Sequence, residues 1–295
     1  MIVRTYHWAD RIIPRWRFAP MRIRRRRRSN HFRYGNAGDV FCRDIVRTIY
    51  QADAENISGV GRRLLAVGSI ADRMLPGDVA CGIGARRSFD VPLATNAPCR
   101  VIGVRGPLTL RAMRDAGHDV RALRFIGDPG VLVRLIVGDD EAIGSGRQLF
   151  IPHYRERYMY PRRIRHDVEV VDVDQSPLDV ARHILGAELI YASSLHGLIF
   201  AHALDRPCVL VQPRTVEPEF KYRDYFASQR ITWRTPAASI NEAIARPTPT
   251  LGTIVRPAEV AANFPTARLL TELGIMVAGD VNSRMEAAAA TSRAT

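Results

Sequence analysis

Short apolar runs rich in valine and isoleucine alternate with segments of helical period along most of the chain, the pattern expected of successive βα units. Strands are predicted at 2–6, 64–69, 79–82, 100–104 and 123–126, and again at 148–151, 168–173, 189–192 and 208–211. Between them, 39–50 places Val40, Ile45 and Ile49 on one helical face. A second helix is predicted over 107–116, with Pro107 in its first turn and Gly117 where a left-handed C-cap belongs. A third follows Ser176, a residue suited to N-capping, and runs to 185.

The stretch 138–147 (GDDEAIGSGR) is acidic, glycine-bearing and without period, so it reads as a linker near mid-chain. The expected organisation is α/β, with a first domain over 1–138, a linker at 139–147, a second domain over 148–280 and a loose tail at 281–295. Each domain reads as an open, doubly wound parallel sheet, which binds its ligands at the carboxyl ends of the strands.

Composition changes this picture little. Of 295 residues, 46% are hydrophobic and 25% charged, ordinary globular values that exclude a disordered or fibrous chain. No run approaches the roughly 18 apolar residues of a membrane helix. Charges and a proline interrupt the first residues where a signal peptide has its apolar core. A cytoplasmic protein is therefore expected. Cys42, Cys81, Cys99 and Cys208 are scattered in apolar contexts and read as buried reduced thiols.

Charge is more informative. Lysine and arginine number 43 against 30 acidic residues, a net charge of +13, and Lys221 is the one lysine. A basic insertion at 22–33 contains the run that opens on Arg24 and closes on Arg28. It lacks the interleaved aromatics of a stacking platform, and no nucleic-acid-binding motif accompanies it. Nucleic acid is not an expected partner. Peripheral contact with an anionic membrane surface is the functional expectation for the run, against a plain solvated loop.

Five segments place polar or glycine residues beside predicted strand ends or helix starts. In Tyr34-Gly35-Asn36-Ala37-Gly38-Asp39, glycines such as Gly38 let backbone approach a ligand, and the first-turn N–H groups attract anions. In GVRGPLT, Arg105 stands at a strand end before a proline-started helix, a position suited to a carboxylate or phosphate. Asp128 of IGDPG is either a turn residue or a ligand contact. His196 of SSLHGLIF opens a buried helix at a strand end, where an imidazole can exchange a proton. FKYRDYF holds Lys221 and Asp224.

The ordered set GNAGDVF, GVRGPLT, IGDPGVL, IPHY, SSLHGLIFAHAL and FKYRDYFAS resembles the polysaccharide pyruvyl transferases, most closely the exopolysaccharide, succinoglycan-type branch, over about Tyr34 to Ser228. The resemblance implies two Rossmann-like domains in a GT-B-like arrangement with the active site between them. It also implies phosphoenolpyruvate as donor substrate, no separate cofactor, and a glycan acceptor, free or lipid-linked, that receives pyruvate as a cyclic ketal. By the same resemblance, Arg105 and His196 match positions associated with donor binding and catalysis, with Asn36 and Asp39 facing the cleft. Ser194 stands where many members carry arginine, which makes Lys221 the candidate second cation. Tyr154 replaces a second histidine, leaving His153 as the imidazole of IPHY.

The mechanism expected from these residues has His196 handling one proton, Asp39 or His153 deprotonating the acceptor, and Arg105 with Lys221 neutralising the departing phosphate. Gly38, Ser194, Asp128 and Asp224 complete the expected substrate contacts. No residue spacing suggests a metal site. The competing readings are a nucleotide-sugar glycosyltransferase on the same scaffold and a non-catalytic binder of polyanions or membranes.

Overall fold

The computed structural model describes residues 1–8, 32–138, 146–165, 167–254 and 256–279. It is a mixed α/β structure built on two mainly parallel sheets. The first carries β1 (Ile2–Thr5), β2 (Asp53–Asn56), β3 (Leu64–Leu65), β4 (Val79–Ile83), β5 (Arg100–Val104) and β6 (Phe125–Ile126). The second carries β7 (Gln148–Ile151), β8 (Arg163–Ile164), β9 (Val168–Val170), β10 (Leu189–Ala192) and β11 (Cys208–Leu210). A last strand, β12 (Met276–Val277), returns to the first sheet. The strand orders are β12-β1-β3-β4-β5-β6, with β2 branching from β1, and β11-β10-β7-β9-β8. Among the described strands, β12 on β1 and β8 on β9 pair antiparallel, and Cys208 of β11 forms a single antiparallel bridge to Thr250.

Helices follow the predicted pattern with local differences. The expected helix at 39–50 forms as α1 (Ala37–Val40) and α2 (Cys42–Tyr50), divided at the buried Phe41. Then come α3 (Pro107–Asp115), α4 (Val133–Val137), α5 (Pro177–Leu185), α6 (Leu195–Ala203) and α7 (Phe220–Ser228). The Ser176 hydroxyl accepts from the Asp179 N–H to cap α5, and Gly117 adopts φ +81° after α3, as their residue types dictate.

All five residues of β4 are buried, the continuous apolar run of a parallel strand covered on both faces. α6 is apolar around nearly its whole circumference for the same reason, and His196 is its one partly exposed residue. Gly197 is required there: a Cβ would lie 2.9 Å from Cγ2 of Ile151, so the helix settles directly onto β7. One apolar cluster runs from Val3, Val79 and Ile102 under the first sheet to Leu149, Ile190 and Phe200 under the second. Phe41 meets Phe200 edge-on at 5.2 Å within it. Burial of this kind is worth roughly 25 cal/mol per Å² of apolar surface, so the cluster fixes how the sheets meet.

The predicted linker falls between β6 and β7, and residues 139–145 lie outside the described residues, as do most of the basic insertion and the C-terminal tail. All four cysteines are buried free thiols. No described helix is long and apolar enough to cross a membrane.

Candidate active site

A cleft lined by residues from both sheets opens where their strands end, the place where open α/β sheets bind ligands. Its walls follow from topology. Trp8 succeeds β1; Ser69, Asp72 and Arg73 lie beyond β3; Arg86 follows β4. From the second sheet, His153 and Arg155 follow β7, Ser194 and His196 follow β10, and Glu217 and Lys221 come after β11. Asn36 and Asp39, at the start of α1, close the rim. Parallel strands turn their carboxyl ends to one side, so residues scattered over the whole sequence converge there.

Backbone and side-chain bonds hold these positions. Ser194 caps α6 by accepting from the Gly197 N–H. Neighbouring Ser193 ties two strand ends together: its hydroxyl accepts from the His153 N–H at 2.8 Å and donates to the buried Glu156 carboxylate. The Tyr222 hydroxyl donates to the Ser193 carbonyl at 2.7 Å, fastening α7 to the same turn. Asn36 donates to Asp39 at 2.6 Å. Gly38 lies directly against the His196 ring, where a Cβ would come within 2.0 Å of Nδ1, so its small size serves the histidine.

The site is strongly cationic around one carboxylate. Glu217 pairs with Lys221 Nζ at 2.8 Å and Arg155 Nη1 at 2.8 Å, with Arg86 Nη2 at 3.5 Å and His153 Nε2 at 3.7 Å. Burial pushes the Glu217 carboxyl up, but the charges of Lys221 and Arg155 outweigh it and hold the group below its usual range. Burial lowers Lys221, with Glu217 opposing and Arg86 and Arg105 assisting.

Both imidazoles are neutral bases. His196 is lowered to about 3 by burial and by the charges of Arg105 and Lys221, and its Nε2 has no hydrogen-bond partner among the described residues. Burial, Lys221 and Arg155 lower His153 to about 3 against the pull of Glu217, and its Nδ1 is likewise unpartnered among the described residues.

Three expected site residues stand elsewhere. Arg105 is fully buried behind the cleft wall. Its guanidinium donates to Asp224 at 3.1 Å, to Ser69 Oγ at 2.5 Å and to the Ala85 carbonyl at 2.6 Å. Its charge reaches His196 through the wall, while all three of its nitrogens already donate to protein oxygens. Asp224 accepts from the Leu108 and Thr109 N–H groups, both at 2.9 Å, and from the Thr109 hydroxyl at 2.6 Å. It therefore caps α3, whose own N-cap residue Gly106 has no side chain to do so. Asp128 is a buried turn carboxylate that accepts from the Gly130 N–H at 2.8 Å. Burial raises it to about 6, partly offset by Arg105.

The structure thus brings His196, His153, Asp39, Asn36, Ser194 and Lys221 to one cleft, with Gly38 behind His196, and leaves Arg105, Asp224 and Asp128 in its support. Sequence reasoning did not single out Arg86, Arg155 or Glu217. Two signals existed: Arg155 follows IPHY directly, and Glu217 precedes Lys221 by four residues, the spacing of an ion pair one helical turn apart. Among the described residues, no three His, Cys, Asp or Glu side chains group so as to hold a metal ion.

Residues 93–213 match the family model for polysaccharide pyruvyl transferase. The matched region runs from before β5 to just beyond β11 and contains both cleft imidazoles. It supports pyruvyl transfer as the general function. The chain is also 28% identical over 205 residues to "Uncharacterized protein L143" of Acanthamoeba polyphaga mimivirus, covering 65% of this chain and 70% of that protein. No solved structure matches.

Proposed function

We propose that the protein is a phosphoenolpyruvate-dependent pyruvyl transferase that places pyruvate as a cyclic ketal across two hydroxyls of a glycan, in exopolysaccharide or cell-surface glycan synthesis of the succinoglycan type. The observation that carries this reading is the convergence of three cations, Arg86, Arg155 and Lys221, with two unprotonated imidazoles at the ends of strands from both sheets. The two sheets are read as the halves of a GT-B-like enzyme, with the donor between them.

Phosphoenolpyruvate carries a phosphate and a carboxylate, and guanidinium and ammonium groups suit both. In the proposed reaction, the enol C3 gains a proton and C2 develops oxocarbenium character. One hydroxyl oxygen bonds to C2, the C2–O bond to phosphate breaks, and the second hydroxyl closes the ketal. Of the two hydroxyl protons released, one balances the proton gained at C3 and the other leaves on inorganic phosphate. His196 Nε2 serves the transfer to C3, since a bound trianion raises the imidazole's proton affinity. Asp39 and His153 take protons from the acceptor. Arg86, Arg155 and Lys221 neutralise the leaving phosphate, a role the sequence assigned to Arg105 with Lys221.

The test is incubation with phosphoenolpyruvate and a panel of free and lipid-linked glycans. The expected result is inorganic phosphate release matched by a sugar mass gain of one pyruvic acid less one water. A nucleoside diphosphate released from a sugar nucleotide, with no reaction of phosphoenolpyruvate, would replace this reading with the glycosyltransferase one. Membrane contact by the 24–28 run belongs to the same proposal; it lies outside the described residues, and unchanged liposome binding after its deletion would remove it.

A further inference from the structure

We propose that Glu217 is the positioning residue of the cleft's anion subsite: its carboxylate holds Arg86, Arg155 and Lys221 around one point, and a small dianion binds by taking over those contacts. This deepens the pyruvyl-transfer reading, on which it rests only for the identity of the natural dianion.

The geometry is unusual for a structural ion pair. Glu217 lies on the loop between β11 and α7, next to Val216, which is 90% exposed. Its own side chain is only 2% exposed because it turns inward. There it bridges elements of both sheets: Arg86 follows β4 of the first, Arg155 and His153 follow β7 of the second, and Lys221 lies on α7. Three cationic side chains converge on this one carboxylate, in a cleft that Asp39 and Asp72 also line, and a dianion offers them more negative charge than Glu217 does. Two carboxylate oxygens already spaced to meet an ammonium and a guanidinium, each at 2.8 Å, mark where the oxygens of a phosphate or sulfate fit.

Glu217 has a second effect on the same subsite. Lys221 is buried and faces Glu217 on its loop, Arg86 beyond β4, Arg105 at the end of β5, His153 beyond β7 and His196 on α6, with the Tyr222 ring beside it. Of these, Glu217 alone favours the charged ammonium; burial, Arg86 and Arg105 oppose it. Removing the carboxylate therefore vacates the anion's place but makes Lys221 easier to deprotonate.

The two effects have opposite signs and separate with pH. The probe is sulfate, which stays dianionic throughout, titrated into wild type and Glu217→Gln by calorimetry from about pH 6 to about pH 10. At the acid end Glu217→Gln should bind sulfate about tenfold more tightly, the worth of one competing charge-assisted contact. Its affinity should then fall with a midpoint at least about one pH unit below that of wild type. Lys221→Arg, whose charge does not titrate in this range, should abolish the midpoint with Glu217 intact, and this arm decides the matter if Glu217→Gln does not fold. Overturning results are Glu217→Gln affinity and midpoint equal to wild type, weaker binding by it at every pH, a midpoint that survives Lys221→Arg, or no sulfate binding by wild type. Wild type that shows the sulfate behaviour yet ignores phosphoenolpyruvate would leave this inference standing and remove the pyruvyl-transfer reading.

Discussion

Arg105 and Asp224, 119 residues apart, form a fully buried ion pair with Nε to Oδ2 at 3.1 Å, and the same aspartate caps the helix that begins two residues beyond the arginine. Two segments that look like ligand-binding motifs are thus each other's ligands. Breaking a buried pair by removing one member leaves an unpaired charge, at about 3 to 5 kcal/mol. Asp224→Ala should cost that much in urea denaturation. Removing both members should cost less than the sum of the single changes, because the stranded charge goes with its partner. Additive losses would mean that the pair is not coupled.

His196 should be dispensable for folding and needed for turnover. His196→Ala is expected to lower kcat by roughly 10² to 10⁴-fold with little change in thermal midpoint, as the ring sits at the open end of its helix. Gly38→Ala should lose turnover too, because the added methyl would lie 2.0 Å from His196 Nδ1 and the ring must move. Steady-state phosphate release checks both variants, and wild-type rates in His196→Ala would take that residue out of the chemistry.

Asp174 should control the Asn36–Asp39 rim. Its carboxylate accepts from the Arg33, Tyr34 and Gly35 N–H groups at 2.7 to 3.1 Å and pairs with Arg157 at 2.6 Å. Burial raises the carboxyl, but Arg157 and the backbone donors outweigh that and keep it low. Asp174→Ala should speed amide exchange at 33–35 and raise KM more than it lowers stability elsewhere. Unchanged protection at those amides would show that the rim is held by other means.

Stability should fall as pH drops below about 6.5. His7 and His202 are lowered to about 4 and His153 and His196 to about 3, all chiefly by burial, from an ordinary 6.5. Between those values the unfolded chain binds more protons than the folded one, so stability rises with pH across that window and is lost as pH falls through it. Asp128, raised to about 6, and Asp44 and Asp72, also raised by burial, act with the opposite sign, three carboxyls against four histidines. Differential scanning calorimetry should show a thermal midpoint that declines steadily from about pH 7 to about pH 5; a flat profile there would contradict the buried, neutral state of these histidines.

Much of this architecture was legible from local rules. Strand positions, the Ser176 cap and the left-handed Gly117 follow from residue type and period alone. The convergence of His196, His153 and Asp39 was legible only through the family resemblance, with which the tendency of parallel strands to bring their ends together is in keeping. What was not legible depended on pairing at a distance. Strands as short as β8 and β12 carry too few residues to show a period, and the return of β12 to β1 has no local signal. Arg105 looks like a ligand residue until Asp224 is placed beside it. Glu217 looks like an ordinary partner for Lys221 until Arg86 and Arg155 arrive from other strands.

The most direct test of the account is to follow the histidine ring nitrogens by 1H–15N spectroscopy of histidine-labelled protein during a phosphoenolpyruvate titration. If the donor lies between the two cleft imidazoles, the resonances assigned to His153 and His196 through their alanine variants should shift together and saturably, while buried His202 and His118 stay in place. Saturable binding that leaves both cleft histidines unmoved would contradict the site described here.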